Sequence, residues 1–397
     1  MSIAGELNIK MSYTNNQNCR QISSQIESTR PLQASKLFTG KSITQTLTTI
    51  PLLFNICSKA QTVTALRAIE SATQSPPSKQ TESTREALIT LENLREQTLR
   101  VAMDWPSAIN EQAENQLLSH VSLGINQLMQ SLEPSNTLTY KSKASNSINN
   151  KMHNKAQWES FSKTLSQSIF GSSAQYWLEN IFQNEQLAHG ELESWADKQQ
   201  TQTARFIHWL NQKEWKHAGK STIEHIPSIN DNDLLNELIK QDQTFTSQPS
   251  WNSQCYELSW YSRKHNCQQC TENKKNNNGI YNRMTARLKE IADLIIRLDS
   301  FFIDEIDIDT TTSAVTGIAH SEAARGRLTH YVEVEDDTIN KLVILAPTEW
   351  NFHPNGIAAN SLNNLDANST TELRQQAELL IHAIDPCVGY KLNIEML

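Results

Sequence analysis

The sequence predicts a mainly α-helical protein with a small antiparallel β element, on three observations. Glycine is scarce, with 11 residues among 397, whereas a typical chain has about 7%. This scarcity disfavours β-sandwiches dense in tight turns and Gly-rich nucleotide loops. Apolar residues recur at helical spacing in several segments, and one segment near the C-terminus alternates between apolar and polar residues as a strand does.

Three segments have the apolar periodicity of a helix, with steps of three and four between successive apolar positions. These positions are Leu88, Leu91, Leu94, Thr98 and Val101; Met284, Leu288, Ile291, Ile295 and Leu298; and Leu373, Ala377, Leu380 and Ile384. Ser369 with Glu372 predicts a capping box at the start of the third helix, and Pro386 ends that helix. Asp385 and Cys387 are therefore expected at a helix exit.

The clearest β signal lies in residues 327–351. Val332 and Val334 alternate with polar neighbours, Asp336-Asp337 supplies turn chemistry, and the chain then returns as an apolar strand. This pattern predicts a hairpin. Polar composition predicts loops at 71–85, 141–157 and 271–279.

Charge and composition exclude several classes of protein. A net charge of −8 repels phosphate backbones and argues against nucleic-acid binding. No run of 18 apolar residues predicts a transmembrane span, and the N-terminus lacks the basic start and apolar stretch of a signal peptide. We therefore expect a cytoplasmic protein without membrane insertion.

The six cysteines are too few for a disulfide scaffold in a chain of this length. Only Cys267 and Cys270 have the close spacing of metal ligands, with Cys255 and His265 nearby. A structural zinc site needs four ligands in a compact cluster. A zinc or redox role for this pair and a role as plain surface thiols both stay open.

Five segments resemble, in order, segments of the large subunit of nickel–iron hydrogenases. ALRAIE (65–70) is similar to the SVRAVE that follows the first metal-binding motif of that family, EAARGRL (322–328) to EAPRGAL, and APTEWN (346–351) to VPTTWN. The N-terminal SIAGELNI is similar to RIEGHLRI, and IHAIDPCVGYKLN to the closing SFDPCxxCxxH. The resemblance covers residues 1–105 and 313–395 of what we treat as a single domain, 1–397, whereas 106–312 is a helical middle region that does not align.

The resemblance implies an incomplete metal site. The family holds nickel and iron with four thiolates, and soft thiolates are the ligands that this chemistry needs. Here Cys57 matches a bridging cysteine and Cys387 a nickel-terminal one, whereas Phe54 and Tyr390 stand where the other two cysteines are expected. Ala4 replaces the glutamate that carries protons in the family, and alanine cannot do so. Hydrogenase activity and bound nickel are therefore not expected.

The resemblance also implies that the pocket around the iron's diatomic ligands is retained. Arg325 and Thr348 match the two donors to the iron cyanides, and a guanidinium binds an anion strongly and in a defined geometry. The remaining positions that match this pocket are the wall residues Ala324, Leu328 and Pro347, the acids Asp385 and Glu92 expected beside Arg325, and Gln61 in place of a histidine. Each residue also has a purely structural interpretation, as a core, capping or ion-pair residue.

This combination resembles the hydrogenase accessory proteins of the HupK/HoxV type. The resemblance implies a non-catalytic scaffold that holds an Fe(CN)2(CO) unit transiently, with maturation chaperones of the HypC/HypD kind and the large-subunit precursor as partners. Two alternatives stay open: a metal-free mimic of the large subunit that binds chaperones or a small subunit, and a degenerate oxidoreductase.

Overall fold

The computed structural model describes residues 5–16, 19–133, 137–141, 149–182, 190–213, 215, 217–240, 243–265, 278–308 and 315–396. The helices are α1 Ile43–Leu53, α2 Ser58–Ala72, α3 Lys79–Ala108, α4 Asn115–Leu132, α5 Asn149–Phe170, α6 Ala174–Trp177, α7 Glu191–Asp197, α8 Gln202–Gln212, α9 Asp231–Ile239, α10 Gln243–Ser247, α11 Trp260–His265, α12 Ile280–Phe302, α13 Pro347–Asn351, α14 Ile357–Asn363 and α15 Thr370–Ile384. The strands are β1 Glu6–Asn16, β2 Cys19–Ser28, β3 Ile318–Ala323, β4 Gly326–Glu335, β5 Thr338–Leu345 and β6 Gly389–Met396. The predicted fold class is confirmed.

The predicted helices form the centre of the molecule. The apolar stripes of α3 and α12 face each other, and α4, α5, α8 and α15 pack around them to bury one large core. Ser369 caps α15 by accepting a hydrogen bond from the backbone N–H of Glu372. The Glu372 carboxylate accepts from the Asn368 N–H and from Trp215 instead of completing a capping box. No described helix has the length and apolar character that a membrane span needs.

The predicted hairpin is the β4–β5 pair of a three-stranded antiparallel sheet with strand order β3-β4-β5. Asp336 and Asp337 form its turn with φ values of 48° and 59°. Two successive left-handed residues are what a tight hairpin turn with the twist of its strands requires. Asp tolerates this conformation better than most residues.

A second sheet, with strand order β2-β1-β6, was not predicted from the sequence. Strand β1 is antiparallel to β2 and parallel to β6, with Leu7 opposite Tyr390. The sheet therefore joins the N-terminal segment to the segment that follows Cys387.

The prediction of a loop over 71–85 is wrong for most of that range. Helix α2 continues to Ala72, and α3 begins at Lys79 with the Ser78 hydroxyl as its cap. The first turns of α3 are held by buried ion pairs, since Arg85 pairs with Glu70 at 2.7 Å and Glu82 with Arg67 at 2.5 Å. Of the other two expected loops, residues 149–157 are helical, and 142–148 and 271–277 lie outside the described residues.

Candidate functional site

The two cysteines that the resemblance selects lie in one site. Cys57 is the residue before α2, and Cys387 lies between α15 and β6; both are partly exposed. Burial, together with the neighbouring Cys387 and Glu92, raises the pKa of the Cys57 thiol to about 12. The two sulfurs are thus close enough to interact electrostatically.

Thr348 contacts Cys387 directly. Pro347 begins helix α13, a position in which its missing N–H costs nothing, and places Thr348 in the first turn. The Thr348 hydroxyl donates a hydrogen bond to Cys387 Sγ at 2.9 Å and accepts one from the Cys387 backbone N–H at 3.3 Å. Thr348 is therefore more than a turn cap, because its hydroxyl is directed at a candidate ligand atom.

Arg325 is buried beside Cys387. Its Nη1 donates to Glu96 Oε2 at 2.9 Å, and its Nη2 donates to Asp385 Oδ1 at 3.4 Å. Its Nε lies 3.1 Å from Asp385 Oδ2 but is not aligned to donate, so it has no hydrogen-bond partner among the described residues. Burial opposes the charged form, but the charges of Asp385, Glu96 and Cys387 outweigh burial and raise the pKa of Arg325.

The backbone at Arg325 is fixed by the next residue. Gly326 has φ +128°, and a Cβ at this position would lie 1.7 Å from the Leu258 carbonyl oxygen. Only glycine permits this approach. Asn351 then ties the two segments together, because its amide donates to the Arg325 carbonyl at 3.2 Å and accepts from the Leu258 N–H at 2.9 Å.

The acid that pairs with Arg325 from helix α3 is Glu96 rather than Glu92, so that part of the prediction is wrong. Glu92 accepts hydrogen bonds from the backbone N–H groups of Lys59 and Ala60 at 2.8 and 3.0 Å, at the N-terminus of α2. Glu96 lies one helical turn further along the same face of α3. Burial raises the pKa of Glu92 to about 7, although the two backbone hydrogen bonds act in the opposite direction.

Asp385 is confirmed as a partner of Arg325, and it has two further cationic neighbours. Arg100 Nε lies 2.9 Å from Asp385 Oδ1, and Arg287 Nη1 lies 3.9 Å from Oδ2. These arginines hold the pKa of the carboxyl below its usual range despite burial, which acts to raise it. Asp385 ends α15 with φ 65°, a left-handed conformation that is uncommon outside glycine.

Gln61 links Cys57 to a buried histidine. Its amide Nε2 lies 3.7 Å from Cys57 Sγ, and its Oε1 lies 2.9 Å from His330 Nε2. Because an amide oxygen only accepts, His330 Nε2 is the protonated nitrogen. Burial lowers the pKa of His330 to about 3, so the imidazole is neutral.

Of the three expected wall residues, Leu328 lies on the Cys57 side. Leu328 is buried in a cluster with Cys57, together with Ala60, Val63, Ile89, Ala323 and Ala346. Ala324 is also buried, and its carbonyl accepts a hydrogen bond from Gln97 at 2.7 Å. Phe54 packs on the core that contains Ile43 and Ile50, and the Tyr390 hydroxyl lies 2.9 Å from His382 Nε2.

Arg30 belongs to the site and was missed in the sequence. It follows β2, its charge interacts with both Cys387 and Cys57, and its Nη1 lies 2.5 Å from Glu349 Oε1. These negative groups raise the pKa of Arg30 against the effect of burial. Its local sequence, ESTRPLQ, contains no motif that indicates a site. Arg30 is identified only by its position near the two sulfurs in the folded chain.

The remaining candidates are Cys255, Cys267, Cys270 and Ala4. Cys255 Sγ lies 3.2 Å from His353 Nδ1, while Cys267, Cys270 and Ala4 lie outside the described residues. Across the described ranges, no three His, Cys, Asp or Glu side chains are grouped as metal ligands. The groups at this site with the chemistry of soft metal ligands are the thiols of Cys57 and Cys387, with hydrogen-bond donors beside them.

Comparisons with known proteins identify similar sequences and a similar fold. The family model described as nickel-dependent hydrogenase matches residues 274–390. The Cupriavidus necator protein named hydrogenase expression/formation protein HoxV is 26% identical over 92% of this chain and 91% of its own length. The HupK protein of Azotobacter vinelandii is 24% identical over 92% of both chains. The nickel–iron–selenium hydrogenase of Desulfovibrio vulgaris Hildenborough superposes with a TM-score of 0.59 at 12% identity, over 92% of this chain and 93% of its own.

The fold is therefore that of a hydrogenase large subunit. Within that fold, the chain is similar over nearly its whole length to the HoxV and HupK proteins, which are named hydrogenase expression/formation proteins.

Proposed function

We propose that this protein acts in hydrogenase maturation, as a non-catalytic scaffold that holds an Fe(CN)2(CO) unit before its transfer to the large subunit. The maturation role rests on relatives along nearly the whole chain that are named hydrogenase expression/formation proteins. The iron unit is the cargo of this scaffold. The observation that carries the proposal is the Thr348 hydroxyl donating to Cys387 Sγ while Arg325 lies buried beside the same sulfur.

The donor groups fit an iron that carries anionic diatomic ligands. Cys57 and Cys387 supply two soft thiolates, and a low-spin iron already ligated by cyanides and a carbonyl needs few others. Arg325 Nε is a buried donor without a hydrogen-bond partner among the described residues, and burying an unsatisfied donor is costly. A cyanide nitrogen satisfies that donor, and the Thr348 hydroxyl can turn to a second cyanide once Cys387 binds metal.

Two other positions argue against bound nickel and against catalysis. By the resemblance, Phe54 and Tyr390 stand where the family has its other two thiolates. Phe54 packs on a hydrophobic core, and the Tyr390 hydroxyl contacts His382. Neither side chain replaces a thiolate as a soft ligand. A site with half the thiolates of the family holds its iron less firmly, and this suits a unit that is passed on.

The partners that we propose are maturation chaperones of the HypC/HypD kind, which supply the iron unit, and the large-subunit precursor, which receives it. The large-subunit fold favours this role, because a scaffold that shares the precursor's architecture presents a similar surface to the same accessory proteins. The proposed location of this exchange is the cytoplasm.

The experiment is infrared spectroscopy and metal analysis of protein purified without oxygen from cells that express the maturation machinery. We expect iron, cyanide and carbonyl stretching bands, and no nickel. The Cys255→Ala variant is the control, since Cys255 matches no position of the family's site and its sulfur contacts His353, and it should load as the parent does. Stoichiometric nickel would contradict the proposal, and protein free of iron would favour the metal-free mimic.

A further inference from the structure

A buried hydrogen-bond chain leads from the β3-β4-β5 sheet to the Cys57 sulfur. The Gln61 side chain lies between them, with Nε2 3.7 Å from Cys57 Sγ and Oε1 2.9 Å from His330 Nε2. Gln61 is 2% exposed, and His330 is fully buried. Because both groups are shielded from bulk water, their own hydrogen bonds decide which end of the Gln61 amide faces the sulfur.

Regular structure holds both ends of this chain. The Gln61 backbone N–H donates to the Cys57 carbonyl at 2.9 Å, so residue 61 lies one turn further along α2 on the same face. His330 lies in β4, the central strand of its sheet, opposite Ala319 on β3 and Ile344 on β5. Strands in a core are among the last parts of a protein to open. His330 is therefore a fixed point from which the Gln61 side chain can be oriented.

A glutamine amide needs such a fixed point because its two ends have opposite chemistry. The NH2 group donates hydrogen bonds and the oxygen accepts them, and a half-turn about the terminal bond of the side chain exchanges the two. An NH2 group directed at a metal-bound sulfur withdraws negative charge from it, whereas an oxygen in the same place repels that charge. The orientation of Gln61 thus decides whether it supports or opposes a metal at Cys57.

The protonation of the His330 ring selects one of these orientations. Burial lowers the pKa of His330 to about 3, so only one of its ring nitrogens carries a proton. Nδ1 is buried and has no hydrogen-bond partner among the described residues. A buried N–H without an acceptor is rarer than an acceptor without a donor, so the proton belongs on Nε2. Gln61 Oε1 accepts it, and the amide NH2 is left to face Cys57.

We propose that His330 is a positioning residue, which fixes the Gln61 amide so that its NH2 group donates to the Cys57 sulfur when this sulfur holds a metal. The identity of the metal unit rests on the proposed function, but the orientation of the amide does not. The donor reduces the negative charge on the thiolate, so an iron bound there receives less electron density and passes less to a carbonyl ligand. His330 thereby acts on the iron through Gln61, from a strand that does not carry the cysteines.

The orientation is tested in the metal-free protein by NMR spectroscopy of isotopically labelled histidine side chains. The chemical shifts of Nδ1 and Nε2 show which nitrogen carries the proton, and the signals of His330 are those that disappear in His330→Leu. We expect the proton on Nε2. A proton on Nδ1 would overturn the proposal, because Nε2 would then accept from the amide NH2 and the Gln61 oxygen would face Cys57.

The effect on iron is tested by infrared spectroscopy of protein purified without oxygen from cells that express the maturation machinery. Gln61→Leu and His330→Leu should both shift the carbonyl band to lower frequency, because each removes the oriented donor. Iron retained during dialysis against a chelator should fall by about tenfold, the lower end of the effect of losing an outer-shell partner. His320→Leu is the matched control on the neighbouring strand, since its ring contacts Thr329 and Asp231, and its band should not move.

Two further variants separate an oriented donor from a structural contact. His330→Gln supplies a side-chain NH2 group for Gln61 Oε1, so it should restore the carbonyl frequency of the parent. In the double variant Gln61→Leu/His330→Leu, the band should lie where it lies in Gln61→Leu, because His330 acts only through Gln61.

Three results in these spectra would overturn the proposal: unshifted bands in both single leucine variants, a further shift in the double variant, or a His330→Gln band that stays at the frequency of His330→Leu. Thermal melting verifies folding, and Gln61→Leu keeps the test decisive if His330→Leu does not fold. A parent protein without cyanide and carbonyl bands would overturn the proposed function instead, and it would leave the position of the His330 proton unchanged.

Discussion

Arg325→Lys separates a pocket for diatomic ligands from a merely structural ion pair. Lysine keeps the positive charge but replaces a planar fork of donors with a single ammonium group on a flexible stem. In the parent, the fork spans Glu96 and Asp385, with donor–acceptor distances of 2.9 and 3.4 Å. An ammonium group at this position reaches one of these carboxylates well and also loses the Nε donor.

The loss of stability in Arg325→Lys follows from the ion pairs that Asp385 and Glu96 keep. Asp385 keeps Arg100 at 2.9 Å and Arg287 at 3.9 Å, and Glu96 keeps Arg95 at 3.1 Å. Neither acid is left unpaired, so the cost is one charge-assisted hydrogen bond, about 1.5–3 kcal/mol. For a chain of 397 residues, with an unfolding entropy of about 2.1 cal/mol/K per residue, this lowers Tm by about 2–4 °C.

The assay compares infrared spectra, iron content and melting curves of the parent and Arg325→Lys, purified side by side without oxygen. We expect shifted cyanide bands or a roughly tenfold loss of iron affinity, which corresponds to about 1.4 kcal/mol, alongside the small change in Tm. Unchanged bands at full occupancy in the lysine variant would refute the reasoning and leave Arg325 with a structural role.

Three further predictions test neighbouring features. Cys57→Ala should abolish iron loading while Tm changes little, because a soft ligand rather than a large core volume is lost; metal analysis checks this, with Cys267→Ala as the control expected to load normally. The pKa of Glu92 is raised in the fold from 4.5 to about 7, so its protonation contributes roughly 3 kcal/mol of stability that is present below pH 4.5 and lost as the pH rises through 7. Urea unfolding of Glu92→Gln and the parent across this range should show the variant gaining relative stability as the pH rises, and a constant difference would contradict the assignment. Gly326→Ala should lower the free energy of unfolding by more than about 3 kcal/mol, because its Cβ meets a carbonyl oxygen at 1.7 Å; an unchanged urea midpoint would show that the backbone there relaxes freely.

The sequence was sufficient for the elements whose signals are local. Periodicity located α3, α12 and α15 because each has one face in the same core, and alternation with an Asp-Asp turn located the β4–β5 hairpin. The sheet β2-β1-β6 was not predicted, because its parallel strands β1 and β6 are far apart in the sequence. No local pattern specifies such a pairing.

The site residues that belong to a sequence motif were predictable, whereas the residues outside any motif were not. Cys57, Cys387 and Thr348 were selected by motif, and the structure brings them together. Glu92 was expected beside Arg325 from the resemblance, whereas Arg325 pairs with Glu96, one turn further along α3. Arg30 lies in a polar segment without a motif, so only the folded chain places it beside the sulfurs.

The pairing of β1 with β6 makes the site depend on contacts between distant parts of the sequence. The Tyr13 hydroxyl on β1 donates to the carbonyl of Ala367, 354 positions later, and Leu7 pairs with Tyr390 in the same sheet. Contacts between positions this far apart in the sequence form slowly. Cys387 lies two residues before β6, so a chain in which β6 has not yet paired with β1 would hold only one of the two thiols in position. The pair of thiols is therefore assembled only once this long-range pairing has formed.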